Sequence, residues 1–342
     1  MSRIGSPIRL AASLCATVLA IGACSGSGSA TQSATRSAPQ TATAAASATP
    51  SVAPSVATAT AQPSAQPASW RLVVLGNGID GVMGLWTLDS SAAWKRLGAT
   101  PGATGLGTSQ GGVMVAADRR IETRPWSALS RVGLATTLKW PAGSAAAPVV
   151  GLATSPAGKV AVAAANDQGQ AYGVVGSGGT VVAVTPAPAD SFTPLVAWLD
   201  EARLLVLSTD AQQVSRLAVI NTVTHSIQPS QTVPGAHLFA VSGNRQLVVA
   251  STEKAIYAEP ANSLLGGTTP QSVVTLQASQ VVWALALDTD GSRVFMLSGT
   301  EAADGTVGAI HELGYVRKGA SWVRFFDTPA PFNQAIAQAW IP

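Results

Sequence analysis

Beyond residue 68 the chain is a succession of short apolar runs broken by Gly, Pro, Asp and Asn, and no long stretch carries a 3.6-residue period. Runs of that length with that punctuation predict an all-β domain. One unit recurs: an apolar strand, a tight polar turn, then a second and more strongly apolar strand. Leu106–Ser109 passes through Gln110-Gly111-Gly112 into Val113–Ala116, and Val150–Thr154 passes through Ser155–Lys159 into Val160–Ala163. Leu195–Leu199 leads through Asp200–Arg203 into Leu204–Leu207, and Leu238–Val241 through Ser242–Gln246 into Leu247–Ala250. Trp283–Leu287 leads through Asp288–Arg293 into Val294–Leu297. The second strands start 43–47 residues apart, a period that marks a stack or ring of supersecondary units.

The two ends of the domain complete each other. Leu72–Leu75 is a second strand without a first, and Ile336–Ile341 near the C-terminus reads like the first strand Leu195–Leu199. A ring closes in this way when the last segment supplies the inner strand of the first unit. The spacing predicts a β-propeller over residues 69–342, six-bladed by the count of units, with seven blades the other count considered and a β-sandwich the competing all-β architecture. In the turns, Gly supplies the positive φ of a tight hairpin and Asp or Ser caps it. Thr154–Ala163 and Asp288–Phe295 resemble the strand–turn–strand of WD-repeat and YVTN-type propellers, sharply at these two turns and weakly elsewhere. The Trp-Asp dipeptide and the Gly-His pair of the WD pattern are missing, so the resemblance does not extend to the intracellular WD scaffolds.

The first 68 residues obey different rules. Arg3 and Arg9 precede an apolar stretch, Leu10–Ala20, and then Ile21-Gly22-Ala23-Cys24. A basic start, a short apolar segment and small residues before the cut describe a secretory signal over residues 1–23. The tetrapeptide resembles the bacterial lipobox, which implies diacylation of Cys24 and attachment to the cell membrane, facing outside the cytoplasm. Residues 24–68 are almost wholly Ser, Ala, Thr, Gln, Gly and Pro, with Arg36 the single charge. A segment so poor in apolar surface is expected to be a disordered tether, suited in composition to O-glycosylation. As a flexible coil it spans roughly 35–40 Å.

Locating the charges changes what the net +3 implies. Three of the 20 basic residues lie before residue 69 and none of the 17 acidic ones does, so the domain itself balances 17 against 17. With no basic run longer than two residues, nucleic acid is not an expected partner. The only cysteines are Cys15, inside the leader, and Cys24. The domain therefore has no thiol for a disulfide, a metal or a nucleophile.

Candidate chemistry is sparse. His225, His237 and His311 are far apart, with His225 and His311 expected in third strands and His237 just ahead of an inner strand. No catalytic signature is present, so no catalytic residue and no metal ligand is assigned. The loops after the second strands each carry an acid: Asp80, Asp118, Asp167, Asp210, Glu253, then Glu301 with Asp304. Propeller topology puts these loops on one face, around a channel mouth, where carboxylates suit a cation or a basic or polyhydroxylated ligand, although Asp in a turn needs no ligand to explain it. Trp198, Trp283 and Trp340 fall at matching inner-strand positions, as packing between blades would require. The expected function is that of a monomeric, membrane-tethered module binding an extracytoplasmic protein, peptide or glycan, without cofactor. The alternative is a lactonase-like propeller hydrolase with a divalent cation such as calcium in its channel, against which stands the scarcity of carboxylates on the inner strands.

Overall fold

The computed structural model describes residues 70–141, 148–166, 169–186, 195–209, 214–230, 232–266, 269–302 and 306–341. The leader, Cys24, the tether, Asp167, Asp210 and Asp304 lie outside the described residues.

The domain is a six-bladed propeller of four-stranded antiparallel sheets. Blade 1 comprises β1 (Arg71–Gly78), β2 (Met83–Asp89) and β3 (Trp94–Ala99). Blade 2 holds β4 (Ala103–Ser109), β5 (Gly112–Ala117), β6 (Arg120–Pro125) and β7 (Leu134–Thr137). In blade 3 follow β8 (Val149–Thr154), β9 (Val160–Asn166), β10 (Gly169–Val175) and β11 (Val181–Pro186). Blade 4 is β12 (Val196–Trp198), β13 (Arg203–Thr209), β14 (Ser215–Asn221) and β15 (Ile227–Pro229). Blade 5 is β16 (Leu238–Val241), β17 (Leu247–Ser251), β18 (Ala255–Pro260) and β19 (Gln271–Thr275). Blade 6 is β20 (Gln280–Leu287), β21 (Arg293–Thr300), β22 (His311–Lys318) and β23 (Ser321–Pro329). The last strand, β24 (Phe332–Ile341), returns to blade 1 and pairs with β1 from Arg71↔Ile341 to Gly78↔Phe332. Inner strands follow one another around the axis in the order β24, β4, β8, β12, β16, β20 and back to β24.

The strength of the second-strand signal has a packing cause. Each blade is covered on both faces by its neighbours, so its second strand has no solvent face and needs no polar alternation. Leu72–Leu75, Leu204–Val206 and Val294–Leu297 have no exposed surface at all. Outer strands such as β15 and β23 are largely open to solvent. Near the axis the problem reverses and space is short. A Cβ on Gly107 would lie 2.6 Å from the Leu152 carbonyl oxygen, so only glycine lets β4 and β8 approach so closely.

The hairpins after the inner strands follow the expected chemistry. Gly158 and Gly291 have φ of +84° and +76°. Ser155 Oγ accepts from Lys159 N at 3.1 Å, and the Asp288 carboxylate accepts from Arg293 N at 3.0 Å. One expectation is corrected. His225 is not in a third strand but in the exposed turn between β14 and β15, at φ +56°, where the Asn221 side chain caps the backbone of Val223 and Thr224. His311 does begin a third strand and pairs with Asp327 at 2.8 Å.

The seam where blade 6 meets blade 1 is the aromatic part of the ring. Trp70 packs on Phe295 and Phe326 at 4.7 and 4.8 Å, Phe295 on Trp340 at 5.7 Å, and Trp94 on Phe332 at 5.2 Å. Such rings combine large buried area with directed edge contacts. Gln338 on β24 donates to the Phe295 carbonyl at 2.9 Å, tying the closing strand to blade 6. Facing it is Glu312 of β22, fully buried, with neither side-chain oxygen hydrogen-bonded. Burial pushes its carboxyl well above the usual carboxylate range, against the opposing pull of the Gln338 side chain. An acid with a raised folded-state pKa costs nothing while both states are protonated, and destabilises the fold as pH rises above its unfolded value of about 4.5. Glu312→Gln, which keeps the shape and removes the titration, is therefore expected to gain stability over the wild type with rising pH. The slope approaches about 1.4 kcal/mol per pH unit for one proton. Denaturant unfolding from pH 4 to 9 measures it, and a difference that stays constant with pH would show that Glu312 ionises freely.

Candidate binding site at the channel mouth

The antiparallel order gives the ring two unlike ends. Inner strands run from the blade-to-blade connections toward the hairpins that join them to the second strands. One end therefore carries those hairpins, and the other carries the blade connections together with the loops after the second strands. Trp70 and Ile341 lie at the hairpin end, because β1 begins where β24 finishes.

At the hairpin end the channel widens into a cavity of about 480 Å³. Its walls are the distal halves of the inner strands, with Ala153, Ala197, Ala240, Leu285 and Ala337 among them, and its rim includes Gln110, Ser155, Arg245 and Thr289. Each inner strand is hydrogen-bonded within its sheet on one side only, which leaves its other backbone edge toward the axis.

The rim is held together by bonds between blades. Gln110 Nε2 donates to the Pro156 carbonyl at 2.9 Å, joining blades 2 and 3. Glu201 of blade 4 accepts from Ala157 N at 2.6 Å and from Ser155 Oγ at 2.9 Å, while Lys159 Nζ donates to its backbone carbonyl at 2.9 Å. Asn244 N donates to the Thr289 carbonyl at 2.7 Å, joining blades 5 and 6. A rim ordered in advance loses little further freedom on binding.

Arg245 stands apart. Among the described residues it is the one charged residue in the cavity lining. Its turn, Ser242–Leu247, is built like those of Ser155 and Asp288, with the fourth residue bonding back to the first: Arg245 N to Ser242 O at 2.8 Å, Gly158 N to Ser155 O at 3.0 Å. That fourth residue is glycine in the other two turns, and here a non-glycine residue sits at φ +60°. The left-handed conformation costs an L-residue on the order of 1 kcal/mol. The guanidinium donates to the Gly243 carbonyl at 3.1 Å and, from blade 5 past blade 4, to the Thr154 carbonyl of blade 3 at 2.7 Å. Burial draws its pKa below the usual arginine value, and the Glu201 charge pulls it back. Arg245 belongs to no catalytic or metal motif. Its signal was a break in the repeat's own rule, arginine in the glycine slot.

The four described acids of these loops, Asp80, Asp118, Glu253 and Glu301, lie at the opposite end. Asp80 is bound to Arg96 at 2.6 Å and accepts from Val82 N at 3.1 Å, and these bonds hold its carboxyl below the usual range. Asp118 sits at φ +53° in the β5–β6 turn, and Glu301 N bonds to the Ser279 carbonyl. Glu253 lies near His237, whose pKa is lowered by burial and raised in part by Glu253. None of these four acids lines the cavity, nor does His237. Among the described residues no three His, Cys, Asp or Glu side chains gather closely enough to hold a metal ion. Of the inner-strand tryptophans, Trp198 is buried against Ala161, Ala163 and Tyr172 of blade 3, and Trp283 and Trp340 pack at the closing seam.

No protein-family model matches this sequence and no curated protein is similar to it. Solved structures are. TolB from Acinetobacter baumannii superposes with a TM-score of 0.59 at 12% identity, over 79% of this chain and 66% of that one. This chain thus spans slightly less than two thirds of that TolB. A TolB structure from Agrobacterium tumefaciens gives 0.54 at 12% identity, over 80% and 98%. A Bacteroides caccae protein of unknown function gives 0.54 at 13%, again over 80% and 98%. At such identities the likeness is one of fold, and the fold is the six-bladed β-propeller.

Proposed function

We propose that this chain is a lipid-anchored module that binds a protein or peptide outside the cytoplasm through the hairpin-end mouth of its channel, and does no chemistry on it. The observation that carries the reading is the mouth itself: a hydrogen-bonded rim over an apolar-walled cavity of about 480 Å³, with hydroxyls, an amide and one guanidinium at its edge. Apolar walls with a few placed polar groups are the usual make-up of a recognition pocket. The export signal and Cys24 supply the address.

Three measurements bear on this. A photo-cross-linking amino acid at Gln110 or Thr289 is expected to yield a discrete adduct in intact cells, and the same residue at Ile79 or Lys254, at the opposite end, is not. Adducts from Ile79 and Lys254 alone would move the site to the acidic loops. Millimolar calcium is expected to leave the melting temperature unchanged to within about a degree, since ligand binding stabilises a fold by mass action. A rise of several degrees would favour the metal-dependent hydrolase. Mass spectrometry of the mature N-terminus is expected to find a diacylated Cys24, and an unmodified Cys24 or an intact Met1 would remove the anchor.

A further inference from the structure

We infer that Arg245 receives a carboxylate of the channel's ligand, and that the ligand is an extended peptide segment with an Asp or Glu among small or apolar residues; this rests on the reading of the channel mouth as the binding site. The first ground is the glycine slot. The equivalent turns carry Gly158 and Gly291 at positive φ, yet the blade 5 turn keeps an arginine there in a conformation that disfavours it. Strain retained at one position marks a side chain that does something glycine cannot.

The second ground is charge. Among the described residues Arg245 is the single charge in the cavity lining and forms no ion pair. Glu201, the carboxylate acting on it, already accepts from Ser155 and Ala157 and pairs with Lys159 at 3.5 Å. Two of the five guanidinium N–H groups meet the Gly243 and Thr154 carbonyls. Those bonds hold the group across the mouth and leave three donors. A fork of donors held in place is what a carboxylate meets bidentately.

The third ground selects a peptide over a free anion. The cavity is many times the size of a carboxylate or phosphate, and most of its wall is Ala, Val, Leu and Trp. The inner strands turn toward the axis a backbone edge that no neighbouring strand pairs with. An extended chain can bond to such an edge while its side chains enter the apolar wall.

The test pans a displayed library of random octapeptides on the full-length lipoprotein in detergent, alongside Arg245→Gly and Arg245→Lys. The wild type is expected to select peptides with Asp or Glu at one fixed position at least tenfold above its library frequency. Arg245→Lys should keep part of that enrichment. Arg245→Gly should lose it while retaining the apolar preferences at neighbouring positions, and its melting temperature should stay level or rise by about 2 °C because the turn regains its glycine. A consensus without an acid, or an acid preference unchanged in Arg245→Gly, overturns the inference and leaves the channel reading standing. A melting temperature several degrees lower with an unchanged consensus makes Arg245 a strap between blades 5 and 3. The absence of any consensus defeats both readings.

Discussion

A ring of blades has no free face only if its last blade is completed by its first, and in this chain β24 does that alone. Every second strand is apolar on both sides because it expects a neighbour on both sides, so an open ring would expose two whole blade faces to water. The seam between blades 6 and 1 answers this demand with density. Trp70, Trp94, Phe295, Phe326, Phe332 and Trp340 meet there, and Gln338 fixes the closing strand to the blade 6 backbone. The same seam buries Glu312 in a place where an ionised carboxyl would be very costly. The channel, its rim and the distinction between its two ends all exist because the ring is closed.

Much of this fold can be read directly from the chain, and the reason is the double burial of the second strands. Leu72–Leu75, Leu204–Leu207 and Val294–Leu297 stand out as unbroken apolar runs because no solvent face dilutes them. The closing role of Ile336–Ile341 is legible because inner strands share a pattern of small and aromatic residues. Third and outer strands are less legible. The outer strands lie open to solvent and their pattern is weak, so the end of the third strand is not marked: the apolar run of β14 predicts a strand through His225, but Asn221 has already turned the chain. Glu312 is hidden for a related reason: nothing in a short alternating run says which of its polar residues points into a seam.

The site was legible only in part. Topology alone places the acidic loops together at one end, as expected from the strand order, but Asp80 uses its carboxylate within its own hairpin. The cavity lies at the other end, among turns whose residues look like ordinary hairpin punctuation. What separates Arg245 from punctuation is the comparison of like turns: the repeat expects glycine, and arginine is there. In a repeat protein, a departure from the unit's own rule is a stronger pointer than a residue type that many folds use for chemistry.

Because the only cysteines, Cys15 and Cys24, precede the domain, the working end can be found by footprinting single cysteines in living cells with a membrane-impermeant maleimide. Cysteines at Gln110, Asn244 and Thr289 are predicted to react readily in the purified protein and to be shielded in cells, while cysteines at Ile79 and Lys254 react equally in both. Equal reactivity at both ends, or shielding at the acidic end alone, would contradict the account.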